Sequence, residues 1–426
     1  MDELCEKLLT LYNTNVLDNA EDTLDVKEFL RVTINHRGCG KGRKVLMDLI
    51  YNHYRKTKPS PAFIGGPEML TLHWSDKHQK MIYIFGEWHS DEMDCNKFKD
   101  DFKNMMAIED FLYELILNTD VFIDLYFEFP SYRGKEYDSA FVPFPVNFRL
   151  AKLLERFKVC VQYATRAAKE CQLARVHYFD VRYEDYEGII KGTNDVNLYR
   201  ISAHYIMENF PESMWGVRIK ILLILNPEFK NVLDCLASPD DATFLAFWKK
   251  QLWDNKYVMK EIGKVPSPLK GQILFFIEKE FIKQGSECRK IWKKTIPIIL
   301  NYKSYSESIF VDAFKDINKY IVSLNCLIAD TYTLARIFKD FDKGAIDQPD
   351  KAHNIIIYAG TSHSDIYRKF LSSIGFSQIS KTGEPNNTCI DMKKIHQPLF
   401  SEWPPKKKDT NLYSSYIKKL LNHGKK

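Results

Sequence analysis

The chain has 426 residues, 45% of them hydrophobic and 14% aromatic, and its 61 basic against 56 acidic residues leave a net charge of +5. That length allows one large domain or two ordinary ones, and the composition is globular, which excludes an intrinsically disordered chain. Much of the small basic surplus sits in the tail segments PPKKKDT and YIKKLLNHGKK, which excludes a general nucleic-acid binder with its concentrated basic face.

Residues 1–65 read as a polar, helical N-terminal region that ends in the Pro/Gly-rich connector YRKTKPSPAFIGGPEM. Inside it, RGCGKGRK (Arg37–Lys44) lacks the G-x-x-x-x-G-K-[ST] spacing of a phosphate loop and reads as a solvated basic loop. Residues 66–195 read as the first part of an α/β core. The apolar runs MIYIF, VFIDLYFEF and RVHYFDV predict strands ending at Gly86, at Pro130 and near Arg182. DCNKFKDDFKNMMAIEDFLYELILN and NFRLAKLLERFKVCVQYATRAAKECQL lie between them with the apolar spacing of amphipathic helices.

Residues 196–345 read as a helical insertion, with DATFLAFWKKQLWD and SIFVDAFKDINKYIVSLNCLIADTYTLARIFKDF amphipathic at helical spacing. Strand texture returns in residues 346–400, the second part of the core, where AHNIIIYAGTSHSD precedes the helix IYRKFLSSIG. Residues 401–426 form a basic tail, a Pro-Lys linker followed by a short basic amphipathic helix. The fold class expected is α/β: a central mixed sheet with flanking helices and a large helical insertion.

The nine cysteines are odd in number, scattered and never spaced as CxxC, so neither a disulfide framework nor a zinc knuckle is expected. The acidic N-terminus has no signal-peptide core, and the longest apolar run, IKILLILN, is too short to span a bilayer. Together these point to the cytoplasm, where the Asn386-Asn387-Thr388 sequon has no meaning.

Chemistry enters with a repeat. IYIFGEWHSD and IIIYAGTSHSD each carry an apolar strand-like run, a glycine (Gly86, Gly360), two variable residues, and His-Ser-Asp beginning at His89 or His363. Ligands of open α/β sheets bind beyond the carboxyl ends of strands. Two neighbouring strands ending alike would present both histidines to one crevice, each glycine permitting a sharp turn. Two imidazoles with Glu87 or Glu128 make a divalent-metal set, or, without metal, a general base and an orienting acid. Glu128 stands out as an acid in an otherwise apolar strand, where a partner is required. Asp180 could supply that partner and Arg182 an anion-stabilising cation, with Asp330 and Arg336 as further candidates around the site. Ser90/Asp91 and Ser364/Asp365 read as helix N-caps. Trp88 suits core and site equally, and His73, His78, His177, His204 and His353 have no partner pattern. A G-x-S-x-G nucleophile motif is absent from the sequence.

The paired G-x-x-H motifs, with the glutamate of YFEFP between them, resemble the superfamily of TraB/PrgY proteins, Tiki proteases, erythromycin esterases and ChaN-like proteins. FGEWHS is similar to the Gly-Glu-x-His core of the esterase and ChaN branches, and YAGTSHS to the second G-x-x-H. The resemblance covers residues 70–190 and 325–380, and the late block also resembles proteins of large DNA viruses of the mimivirus type. It implies an α/β fold with a helical insertion and a cleft holding Gly86, Glu87, His89, Glu128, Gly360 and His363. It further implies a hydrolase of a peptide, amide or ester bond, metal-dependent as in Tiki proteases (Mn, Co or Zn on His89, His363 and Glu128) or metal-free as in the esterases. Arg182 would contact the oxyanion or a substrate carboxylate. A non-catalytic virion-associated or interaction protein, its basic tail meeting an anionic partner, is the alternative, and haem-associated ligand binding in the ChaN manner a third. The substrate would be a small molecule or peptide, and the location the host cytoplasm or the virion.

Overall fold

The computed structural model describes residues 60–88, 105–119, 121–130, 152–153, 156–157, 160, 173–181, 240–253, 255–301, 304, 306–341, 349–385 and 387–400. Residues 1–59 of the N-terminal region, with the phosphate-loop-like cluster, and the basic tail fall outside these residues, while the described end of that region, read as helix and connector, holds a short strand at Phe63–Gly65. Within the described residues the chain is α/β, as the alternation of strand and helix patterns predicts.

Among the described residues, the strands are β1 (Phe63–Gly65), β2 (Met69–Ser75), β3 (Lys80–Glu87), β4 (Met105–Ala107), β5 (Ile123–Pro130), β6 (Ala174–Asp180), β7 (Asn354–Gly360), β8 (Ser377–Gly383) and β9 (Cys389–Asp391). Six form one sheet in the order β6-β5-β7-β3-β2-β8, and the other three form a small sheet, β4-β1-β9. In the large sheet β3 and β5 both run parallel to β7, whereas β2 is antiparallel to β3 and to β8. The sheet is therefore mixed.

The central strands explain themselves. β3 and β7 are buried at every residue, so they read as unbroken apolar runs and not as alternations, as strands covered on both faces do. β8, SQISKTG, lies at the sheet edge with Ser377, Gln378 and Lys381 exposed and carries no apolar signal, which is why the sequence pattern does not predict it. Met105–Ala107, placed by periodicity in a helix, pairs instead with β1; three residues are too few for helical and strand periods to separate.

Among the described residues of the core, helix α1 (Ile108–Asn118) covers one sheet face, with Phe111 against Phe85 at a ring distance of 6.5 Å. Acids Glu109 and Asp110 in its first turn suit the positive end of the helix dipole. Glu109 takes Lys152 at 3.6 Å and Asp110 takes Arg156 at 2.8 Å. Four helices follow in residues 241–338: α2 (Asp241–Trp253), α3 (Lys256–Gly263), α4 (Ser267–Leu300) and α5 (Glu307–Phe338). The last, α6 (Thr361–Ser373), leaves β7 directly.

The chain divides into two compact units, one of residues 1–128, 146–177 and 341–426 and a second of residues 129–145 and 178–340. In the second, Asn255 caps α3 by accepting from the amides of Tyr257 and Val258, and Ser306 caps α5 through Ile309. Ile277, Phe281, Cys288 and Trp292 are buried at helical spacing on α4, which packs against α5. Lys339, at the end of α5, meets the buried Glu261 of α3, with Arg336 at 3.5 Å from the same carboxylate. Burial first and then Arg336 push the Lys339 ammonium down to about 8, with Glu261 working against them.

One local feature runs against the sequence reading. Cys160 and Cys389 are each disulfide-bonded, while Cys288 and Cys326 are free thiols; spacing along a chain does not report which sulfurs meet in space. Gly383, in β8, has φ +93°, and a Cβ there would stand 2.0 Å from the carbonyl oxygen of Glu68. Gly383→Ala is therefore expected to cost about 2–4 kcal/mol of stability, read as a lowered denaturation midpoint; an unchanged midpoint would contradict this backbone geometry.

Candidate functional site

The register of the central strands decides what can meet. Glu87 of β3 pairs with Gly360 of β7, and Phe127 of β5 pairs with Tyr358. Both motif strands thus end at one level on one edge, side by side, with Glu128 one residue beyond the last registered pair. α6 begins at once, with Gly360 as its N-cap at φ −55° and ψ 151°, so His363 lies in the first helical turn.

Glu128 and His363 meet there. One carboxylate oxygen of Glu128, Oε2, accepts the Gly360 N–H at 2.7 Å; the other, Oε1, stands 3.0 Å from His363 Nε2. The second contact is at ion-pair distance without the alignment of a hydrogen bond. The Glu128 side chain is 10% exposed and that of His363 3%, so both are held by their surroundings. By position, Glu128 satisfies one of the amides that a helix start leaves open and sits at the positive end of its dipole. The His363 ring also stacks on Tyr367.

Side chains alternate across a strand. Glu87, in phase with Phe85 and hence with Phe127, therefore faces the opposite side of the sheet from Glu128. There it accepts the Tyr358 hydroxyl and is 1% exposed. The Thr361 hydroxyl lies 2.9 Å from the buried carboxylate of Glu68 and 3.1 Å from the Glu87 carbonyl. Glu87 and Glu128 are consequently not interchangeable, as the sequence left them. Glu68, Tyr358 and Thr361 were missed. Two of the three stand inside the quoted motif, whereas Glu68 lies in the connector IGGPEM, where nothing marks it.

Gly86 is no turn: β3 runs on through Glu87. Ser364 and Asp365 are no caps, because α6 starts before them. The Ser364 hydroxyl instead donates towards the carbonyls of Ala359 at 3.3 Å and Phe85 at 3.4 Å, and Asp365 pairs with Arg368 at 2.8 Å. Trp88 is 66% exposed, so it is not core. His89, Ser90, Asp91 and Arg182 lie outside the described residues. Asp180 closes β6 and is buried. Asp330 and Arg336 belong to α5 in the helical unit, where Arg336 is engaged by Glu261 at 3.5 Å and donates to Tyr332 at 3.1 Å.

No protein-family model matches the chain, and no curated protein or solved structure matches it.

Among the described residues, no three of His, Cys, Asp and Glu gather closely enough to hold a metal ion. Glu128 and His363 are the two described members of the expected set. Nor does any described helix have the length and apolarity to cross a membrane.

A second charged cluster lies on the Glu128 face but four residues earlier in β5. Asp124 is fully buried and takes Arg175 Nε at 2.6 Å and Nη2 at 3.1 Å, with His177 Nε2 at 2.8 Å. Phe341 lies 3.5 Å under the guanidinium, and the His177 ring stacks on Tyr126 at 4.3 Å and on Phe341 at 5.5 Å. Burial alone would raise the Asp124 carboxyl, but Arg175 and His177 together outweigh it and hold it down to about 2. His177 thus has the partner its sequence context did not reveal.

Proposed function

We propose that the protein is a hydrolase of the TraB/Tiki/erythromycin-esterase type, which cleaves a peptide, amide or ester bond at the edge where β3, β5 and β7 end. The observation that carries this is the pairing of Glu128 with His363 beside the parallel, level exits of both motif strands. The chain reaches His89 two residues after Glu87, which is itself in register with Gly360. Glu128 orients the His363 imidazole, and His363 takes the proton of the attacking water and returns one to the leaving group.

The donor set also fits a divalent ion. Two ligand atoms each about 2.1 Å from one ion lie roughly 3.0–3.4 Å apart, and Glu128 Oε1 and His363 Nε2 are 3.0 Å apart without hydrogen-bond alignment. Mn, Co or Zn held by Glu128, His363 and His89 would supply an acidified water as nucleophile. A second reading has its own support. Glu128 also serves the start of α6 through Gly360, a duty that a scaffold without catalysis would keep, as in a virion-associated or interaction protein.

Purified chain assayed against nitrophenyl acyl esters and fluorogenic peptides, with and without Mn, Co or Zn, separates these readings. Hydrolysis that disappears in both His89→Ala and His363→Ala is the expected result. Turnover unaffected by either substitution, or none with any substrate, favours the scaffold. Bound metal that persists in both variants would eliminate the metal form.

A further inference from the structure

We propose that Arg368 is a positioning residue, which pins α6 onto β2 and β3 and thereby sets where His363 stands against Glu128. The inference rests on reading His363 as a working residue of the hydrolase.

The contacts run down the sheet-facing side of α6. A Cβ on Gly86 would lie 3.2 Å from Arg368 Nη2 and 3.4 Å from Ser364 Oγ, so the bare backbone of β3 is the seat on which the helix rests. Arg368 then reaches past β3 to β2, where its Nε donates to Thr71 Oγ1 at 3.1 Å. Thr71 Oγ1 is also 3.1 Å from the buried His73 Nε2. Burial and then Arg368 push His73 down to about 4, so the polar chain Asp365–Arg368–Thr71–His73 carries no second cation near neutral pH.

This is a costly way to fill space. The Arg368 side chain is 12% exposed, its carboxylate partner Asp365 is 54% exposed, and its Nη2 is buried with no hydrogen-bond partner among the described residues. An apolar side chain of similar volume would fill the same gap without desolvating a charge. What the guanidinium adds is direction. With Nη1 held by Asp365 of the same helix, the guanidinium plane turns its Nε onto Thr71 and so ties α6 to one point of β2, and His363 is five residues away on the same helix. The two motif copies therefore interlock, the glycine of the first receiving the serine and arginine that follow the histidine of the second.

The test needs no substrate. Thr71→Val removes the acceptor without altering any charge, Arg368→Lys keeps the charge but not the fork, and Thr71→Ser restores the hydroxyl. Each is melted alone and with Glu128→Gln, and the His363 ring resonances, identified by their loss in His363→Gln, are compared at one fixed pH. The expected result is a smaller Glu128→Gln melting shift in the Thr71→Val and Arg368→Lys backgrounds, displaced His363 resonances, and recovery of both with Thr71→Ser. Additive melting shifts, the mark of independent sites, with unmoved resonances would overturn the proposal. If Thr71→Val does not fold, Arg368→Lys decides alone. With a turnover assay in hand, kcat should fall about 10- to 100-fold at unchanged KM. Lack of hydrolysis in the unaltered chain would remove the hydrolase reading without touching the two substrate-free readouts.

Discussion

Replacing Glu128 by Gln is expected to lower hydrolytic turnover by about 10²–10⁴-fold, the usual contribution of a positioned acid–base system. The substitution is chosen because Gln keeps an oxygen that can accept the Gly360 N–H, now received at 2.7 Å by Glu128 Oε2. The start of α6 thus retains its partner while the charge beside His363 Nε2 is lost. His363→Ala should fall in the same range, and the double variant should lose little more than either single one, since residues acting as one unit do not add. The measurement is kcat for the four proteins on whichever ester or peptide the chain cleaves. Multiplying, independent losses would mean that the two residues do not share a step. A Glu128→Gln protein that turns over normally would leave the carboxylate only its role at the start of α6.

The second large effect concerns stability. Asp124→Asn should cost about 3–5 kcal/mol, because it leaves a partly buried guanidinium and a buried imidazole without their counter-charge. Arg175 Nε and His177 Nε2, at 2.6 and 2.8 Å, both lean on the same Asp124 oxygen. The sign with pH follows from the carboxyl being lowered from 3.8 to about 2 in the folded chain. A carboxylate lowered by folding contributes stability that is fully present above its unfolded value and disappears as pH falls through its folded one. On the order of 2 kcal/mol should therefore be lost between about pH 4 and pH 2, and that part of the acid limb should be missing in Asp124→Asn. Denaturant melts from pH 2 to pH 6 on both proteins would show it. Parallel acid limbs would mean that Asp124 is not the group responsible.

The two clusters were legible to different degrees. His89 and His363 are marked by a repeated motif, and the motif's exits from β3 and β7 prove to be neighbours. His177, by contrast, stands 53 residues from Asp124 in a strand that reads only as VHYFD, so nothing local connects them. The same is true of Thr71 and Arg368, which are 297 residues apart. Gly86 was visible but misread. A glycine ending an apolar run suggests a turn, whereas its use here is to let a helix lie close against the strand, a demand made by α6 and not by β3.

By itself the sequence determined the class of the fold, the central strands and the repeat that singles out both histidines. Those signals are local: hydrophobic period, chain order and residue type survive in one dimension. The tertiary structure alone decided that Glu87 and Glu128 face opposite sides of the sheet, and that Glu128 reaches His363. It also decided that the serine and aspartate after His363 sit within α6 instead of capping it. Each of these depends on strand register and on where α6 begins, and register is set by partners hundreds of residues away. A shift of one residue would turn every side chain to the other face.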